Sequence, residues 1–205
     1  MVSQHLLIPR PSLLEHSFYR RWVVGELTLD ELGDYAGQYA HVVAALPRWL
    51  RSATKGSPGH AETLASHAAE EDRHVELWSR FATAVGMTRD QLALTVPNPA
   101  TAELLRDGDR LSTARSGAAV AWALEVQTPE VSVEKLRGLK AHYRIERRNG
   151  AAYFELHSTR DLAHASELDG VIAGFGGADR EEAQRTADVI TGGLWNLLTS
   201  VEHAA

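Results

Sequence analysis

Three ionisable side chains fall on the buried stripe of one predicted helix, and few folds can hide them. The segment 151–168 carries Phe154, Ala165 and Leu168 on one face. His157, Asp161 and His164 stand on that same face, four and then three residues apart. Glu155, Thr159, Ser166 and Glu167 already supply the outer side. Burying two imidazoles and a carboxylate together is costly unless they hold one another or a metal ion. The fold must therefore bring polar partners to this helix from its neighbours.

Two other segments offer them. Gly117-Ala-Ala-Val-Ala-Trp-Ala-Leu-Glu125-Val reads as a helix buried all round, and a lone carboxylate there should be neutral, paired or metal-bound. A carboxylate reaching water near Pro129 is the other reading. The third segment is His67-Ala-Ala-Glu70-Glu71-Asp72-Arg73-His74. Glu70 and His74 lie four apart and His67 and His74 seven apart, so either pair can present two ligands from one helical face. Together the three segments hold the carboxylates and imidazoles of a dinuclear non-haem site in a helical bundle. Oxygen and imidazole donors suit iron or manganese. The chain has no cysteine, which excludes disulfides, thiolate zinc sites, Cys-ligated iron–sulfur clusters and a cysteine nucleophile. A ferritin-like site is also excluded, because Glu71-x-x-His74 is the single pair of its kind.

The rest of the pattern is helical nearly throughout. Thr28-Leu-Asp-Glu31 predicts a capping box, followed by Leu32, Tyr35, Tyr39, Val42, Val43 and Leu46 at helical spacing and a bend or break at Pro47. Helices are expected over 60–85, briefly after Thr88, over 101–127, onward to Tyr143, over 151–168, and from about Asp179 after a loop at 170–177. No segment alternates with period two. One all-α bundle of about seven helices over residues 1–205 follows. A formal charge of −6 argues against nucleic-acid binding, no apolar run is long enough for a membrane span, and the first residues lack a signal-peptide core, so a cytoplasmic protein is expected. Eighteen arginines stand against three lysines, Lys55, Lys135 and Lys140.

The motifs Leu14-Glu-His-Ser-Phe-Tyr19-Arg-Arg-Trp22, Gly25-Glu-Leu-Thr-Leu-Asp-Glu-Leu32, Ala45-Leu-Pro-Arg-Trp-Leu50, Glu125-x-Gln127-x-Pro129, Glu134-Lys135-x-Arg-Gly-Leu139 and Tyr153-Phe-x-x-His157-x3-Asp161-x2-His164 together resemble one family over nearly the whole chain. It is the haem-oxygenase-like dimetal oxidases, and within them the CADD-like, folate-linked group. The resemblance implies metal ligands at Glu70, His74, Glu125, His157, Asp161 and His164. The family places seven positions between its acidic ligand and the next histidine, whereas Glu70 precedes His74 by four, so Glu71 and His67 remain candidates. The resemblance further implies two non-haem metal ions (Fe/Fe or Mn/Fe), O2, an external reductant, and a homodimer.

The same resemblance implies para-aminobenzoate synthesis for folate, with Tyr19 consumed for the ring, Lys135 supplying nitrogen and Tyr153 redox-active. The family's tyrosine before the central glutamate is replaced by Leu124, and Trp122 is the candidate to compensate. Two other functions are open to this sequence: a dimetal oxidase acting on an external amino acid, amine or fatty acid, and a non-catalytic binding protein.

Overall fold

The computed structural model describes residues 6–203. Among them are nine α-helices and no strand: α1 Ser17–Val24, α2 Leu29–Ala53, α3 Ala61–Ala84, α4 Arg89–Leu94, α5 Pro99–Leu111, α6 Ala118–Glu125, α7 Thr128–Gly138, α8 Ala152–Ala173 and α9 Gly177–Ser200. Thr28 opens α2 as its sequence predicts, accepting from the Glu31 N–H at 3.1 Å while the Glu31 carboxylate accepts from the Thr28 N–H at 2.9 Å. At α5 the cap is one-way: Asn98, ahead of Pro99, accepts from the Thr101 N–H at 2.9 Å.

The helix count exceeds the expected seven in two places. The aromatic segment around Tyr19 is a helix of its own, and the run 101–127 is two helices. Residues 112–117 turn too tightly to stay helical: a Cβ on Gly117 would lie 2.2 Å from the Ser112 carbonyl oxygen. Elsewhere helices run longer than expected. Pro47 removes one backbone donor yet α2 continues to Ala53, because the flanking turns are locked onto α3, its most extensive neighbour. Likewise α8 continues through Gly170, since Val171 and Ile172 bury their side chains beyond the expected end at 168.

All eight residues of α6 are buried, and this short helix lies against both α8 and α9. Around it the apolar side chains form one continuous cluster. Trp22, Trp49, Trp78 and Trp122 are almost wholly enclosed. Each contributes roughly 4–6 kcal/mol of gross apolar burial before the entropic cost of ordering it. At Gly138 a Cβ would come within 2.6 Å of the Trp22 ring, so only glycine lets α7 settle on α1. Trp22 Nε1 then donates to the Lys135 carbonyl at 3.1 Å, which sets the height of Lys135 against α1. No described helix is long and apolar enough to cross a membrane.

Candidate metal centre

Helix α3 turns His67, Glu71 and His74 inward, α6 ends on Glu125, and α8 presents His157, Asp161 and His164 along one stripe. All seven are buried. Two tight groups form, His67–Glu71–Glu125–His164 and Glu71–His74–His157, with the donor atoms of each group within 4.8 Å of one another. Glu71 belongs to both. Its Oε1 lies 3.0 Å from His74 Nδ1 and 3.7 Å from His164 Nδ1, and its Oε2 lies 3.7 Å from His157 Nε2. His67 Nε2 is 2.9 Å from Glu125 Oε1, and its ring centroid is 3.6 Å from that of His164. Asp161 stands at the edge, its Oδ1 3.9 Å from His164 Nδ1.

Sequence reasoning named Glu70 first at this corner, but the structure does not bring it into either group. Glu70 turns to Arg160, accepting from Nε at 2.8 Å and Nη2 at 2.6 Å, and is partly exposed. His67 and Glu71, the two alternatives, are both inside.

These atoms approach without bonding one another. His67 Nε2, Glu71 Oε1, His74 Nδ1, both oxygens of Glu125, His157 Nε2, Asp161 Oδ1 and both ring nitrogens of His164 have no hydrogen-bond partner among the described residues. So many orphaned donors and acceptors in a dry interior would be strongly unfavourable if nothing satisfied them. Aimed at common points, they fit hard or borderline cations, and the oxygen-and-imidazole chemistry fits iron or manganese. The electrostatics agree. Burial pushes the Glu125 carboxyl well up, and the Glu71 charge adds to the push. Burial likewise raises Asp161, with His157 opposing and Glu125 adding. Burial also acts to raise Glu71, but His157 and His74 outweigh it and hold that carboxyl low. Burial lowers His164 to about 4, with His67 contributing, so its imidazole is neutral and able to ligate.

Next to this cluster lie two small chambers, each with room for about one water at roughly 20 Å³. The first is walled by Glu71, Glu125, His157, Asp161, Val42 and Leu46. The second holds Tyr19, Lys135, Ser132 and Phe154. Tyr39, Leu124, Thr128 and Tyr153 line both and form the wall between them. Tyr153 stacks on His157 with centroids 3.9 Å apart, and its carbonyl accepts from His157 Nδ1 at 2.7 Å.

Lys135 is buried, and its Nζ donates to the Tyr35 hydroxyl at 2.6 Å. It stands 5.1 Å from the Tyr19 ring centroid, 4.9 Å from that of Tyr35, and within 5.7 Å of Trp22, Tyr39 and Phe154. Burial lowers its amine to about 7. Burial raises the hydroxyls of Tyr19, Tyr35, Tyr39 and Tyr153, so all four remain protonated at neutral pH. Tyr35 and Tyr39 had been legible as stripe residues of α2, four apart, with no sign of a role. Trp122 does not replace the tyrosine missing at Leu124: it lines neither chamber, and its Nε1 donates to Asp169 at 2.9 Å. The tyrosine that does share the wall with Leu124 and Tyr153 is Tyr39.

Residues 33–195 match a family described as iron-containing redox enzymes. Curated relatives include the 4-aminobenzoate synthase of Chlamydia pneumoniae, 31% identical over 92% of this chain and 88% of that one. Its counterpart from Chlamydia trachomatis serovar D is 30% identical over 95% and 88%. The 4-aminobenzoate synthase of Nitrosomonas europaea is 26% identical over 96% and 88%. Among solved structures, a TenA homologue from Pseudomonas syringae superposes with a TM-score of 0.80 at 17% identity, over 92% of this chain and 86% of that one. A CADD-like protein of unknown function from Nostoc punctiforme gives 0.68 at 16% identity, over 90% and 88%. At such low identity the two structures establish a shared fold.

Proposed function

The chain belongs to the haem-oxygenase-like family of iron-containing redox enzymes, and from that premise we propose that it makes 4-aminobenzoate in an O2-dependent reaction at a dimetal centre, taking the ring from its own Tyr19 and the nitrogen from Lys135. The observation that carries this reading is the position of Tyr19 and Lys135 together, in a narrow chamber one wall away from a converging set of orphaned metal-ligand atoms. That chamber has room for about one water beside them, which favours a ring already in the chain over an external aromatic substrate. The chemistry of the product matches. 4-Aminobenzoate needs a six-carbon ring, one carboxyl carbon and one amino nitrogen. A tyrosine side chain beyond Cα carries the ring and one further carbon, and a lysine amine carries the nitrogen: the Cα–Cβ bond breaks and O2 oxidises Cβ to the carboxyl, while the Cε–Nζ bond breaks as the nitrogen takes the place of the phenol oxygen, which leaves as water.

In this reading His67, Glu71, His74, Glu125, His157, Asp161 and His164 would hold two ions, Fe/Fe or Mn/Fe, and Glu71 belongs to both groups of ligand atoms. The family-derived ligand Glu70 gives way to Glu71, and His67 fills the place seven positions before His74. Two such ions, with an external reductant, supply O2 activation and oxidising power. The protein's own residues do the rest. Tyr153, stacked on His157 and lining both chambers, is the redox-active tyrosine between the centre and Tyr19. Lys135, its amine lowered to about 7 by burial, is largely neutral just above that pH and carries a free lone pair. The narrow chambers, each with room for about one water, limit the water that reaches the reacting groups.

The test needs no added substrate. Purified protein is given Fe(II), Mn(II), reductant and O2, and product is measured by mass spectrometry. Product at or below one equivalent per chain is expected, and ring-labelled tyrosine incorporated during expression should appear in it. Unlabelled product, or product only when an external amine or amino acid is added, overturns the self-consuming reading in favour of an external-substrate oxidase.

A further inference from the structure

Glu70 sits beside the donor cluster, conspicuously charged and conspicuously outside it. We infer that Glu70, clamped by Arg160, is a positioning residue that orients His164 toward the metal centre; the inference rests on the metal reading above.

Two geometries support it. The first is the clamp: Arg160, four residues before His164 on α8, donates through Nε and Nη2 to the two carboxylate oxygens of Glu70 at 2.8 and 2.6 Å. A two-point contact of this kind fixes direction as well as distance. The second is the ring it faces. His164 Nδ1 points at Glu71, Glu125 and Asp161, at 3.7, 4.0 and 3.9 Å. If Nδ1 offers its lone pair there, the one ring proton must sit on Nε2. Glu70 Oε2 lies 3.4 Å from Nε2, and no other carboxylate among the described residues comes within 4 Å of that nitrogen. No hydrogen bond is formed at this distance, but the carboxylate charge behind Nε2 favours a proton there, and so the tautomer that leaves Nδ1 free.

The neighbouring imidazole on the same helix gives the comparison. His157 uses the opposite nitrogen: its Nδ1 donates to the Tyr153 carbonyl at 2.7 Å, which leaves Nε2 inward. A backbone carbonyl performs for His157 what a side-chain carboxylate performs for His164. The first cannot be removed by substitution, and the second can.

The experiment is anaerobic Co(II) titration by chelator competition on the full chain, with Glu70→Leu, Glu70→Gln and Arg160→Met beside the unmodified protein. Two ions per chain are expected throughout. Affinity at one of them should fall roughly 10–100-fold in Glu70→Leu and less in Glu70→Gln, whose amide oxygen still accepts. Arg160→Met should weaken binding too, and the double variant Glu70→Leu/Arg160→Met should be no worse than Glu70→Leu alone, because Arg160 acts through Glu70. Nitrogen-15 NMR of the metal-free chain adds a readout independent of any ion: His164 protonated at Nε2 in the unmodified protein and in a tautomer mixture in Glu70→Leu.

Loss of one whole equivalent in Glu70→Gln would make Glu70 a ligand and overturn the positioning role while sparing the metal centre. Unchanged affinity and tautomer in all variants would overturn it as well. If the unmodified protein binds no ion, the metal reading fails and this inference fails with it. Should Glu70→Leu not fold, Glu70→Gln and Arg160→Met decide the matter alone, since both keep a polar or solvated surface.

Discussion

On one side of the wall built by Tyr39, Leu124, Thr128 and Tyr153, four imidazoles and three carboxylates face one another with their donor atoms unpaired. On the other side a single amine stands among five aromatic rings, donating to one hydroxyl. Both regions bury ionisable groups, and they manage the cost differently. The acid–imidazole side keeps one charge in place: Glu71 stays anionic because His74 and His157 outweigh its burial, while burial pushes Glu125 and Asp161 up. What remains unsatisfied is a set of lone pairs, which a cation completes. The lysine side sheds charge instead. Among the described residues no carboxylate pairs with Lys135, burial alone moves it to about 7, and above that pH the group is largely a neutral nucleophile. One side is built to receive an ion and the other to do without one.

The strongest way to break this comparison is to remove a group from the lysine side and ask whether the ion side notices. Tyr19→Phe should abolish 4-aminobenzoate in the substrate-free assay while two metal ions per chain still bind. The deleted hydroxyl belongs to the second chamber, and Tyr19 contributes no donor to either group of ligand atoms. Product at the unmodified level would remove Tyr19 as the ring source. Loss of the metal together with the product would show the two chambers to be one site.

The converse substitution is Glu71→Ala, which strikes the single carboxylate common to both donor groups. Metal binding should fall by at least 100-fold at both ions, well beyond the effect at Glu70. Inductively coupled plasma mass spectrometry after desalting reads the retained metal. Retention of one full equivalent would mean that Glu71 serves a single ion. The Tyr35 and Lys135 side should be unaffected, which the Lys135 titration described next can report.

How far all this was legible in the sequence depends on whether a local rule or a tertiary one decides. The α8 stripe was legible, because offsets of four and three put His157, Asp161 and His164 on the face that already held Phe154 and Leu168. Glu125 was legible because nothing else polar shares its segment. Glu70 and Glu71 could not be separated in that way. At about 100° per residue they flank the line from His67 to His74 on opposite sides, and helical geometry admits either. What separates them is Arg160, ninety residues away, which takes Glu70 and leaves Glu71 buried. The spacing His67-x6-His74 did contain the signal, since it reproduces the seven-residue gap with an imidazole in the acidic position. The second duty of Tyr39 was invisible because it comes from a close approach between segments distant in the chain, whereas the break at 112–117 is a local turn that Gly117 closes against Ser112 without announcing itself in the helical pattern.

A smaller effect sharpens the lysine side. The folded chain releases the Lys135 proton near pH 7, whereas the unfolded chain holds it to about its ordinary 10.5. Between those values the unfolded state binds more protons, so stability rises with pH, by up to about 1.4 kcal/mol per unit for this one group. Lys135→Met should remove that rise, leaving a flatter profile of urea midpoints from pH 7 to 10. It should also abolish product, because methionine carries no nitrogen. A profile that stays as steep in Lys135→Met would mean that the amine is charged in the folded state and that the two sides do not differ as described.

The smallest effects concern the wall itself, and here the prediction is a contrast. Tyr39 lines both chambers, and its hydroxyl, raised first by burial, also feels Asp161, Glu71 and Glu125 from one side and Tyr19 from the other. Trp122 is more deeply buried than the partly buried Tyr39 but lines neither chamber, bonded instead to Asp169. Tyr39→Phe should keep two metal ions and the fold, and lower product yield several-fold by removing a polar group from the partition. Trp122→Phe should leave product unchanged and cost roughly 1–3 kcal/mol for the lost hydrogen bond and the packing beside it. Thermal unfolding and the same mass-spectrometric assay read both. If Trp122→Phe lowers product as Tyr39→Phe does, the partition extends through α6, and the tyrosine absent at Leu124 has its replacement there and not on α2.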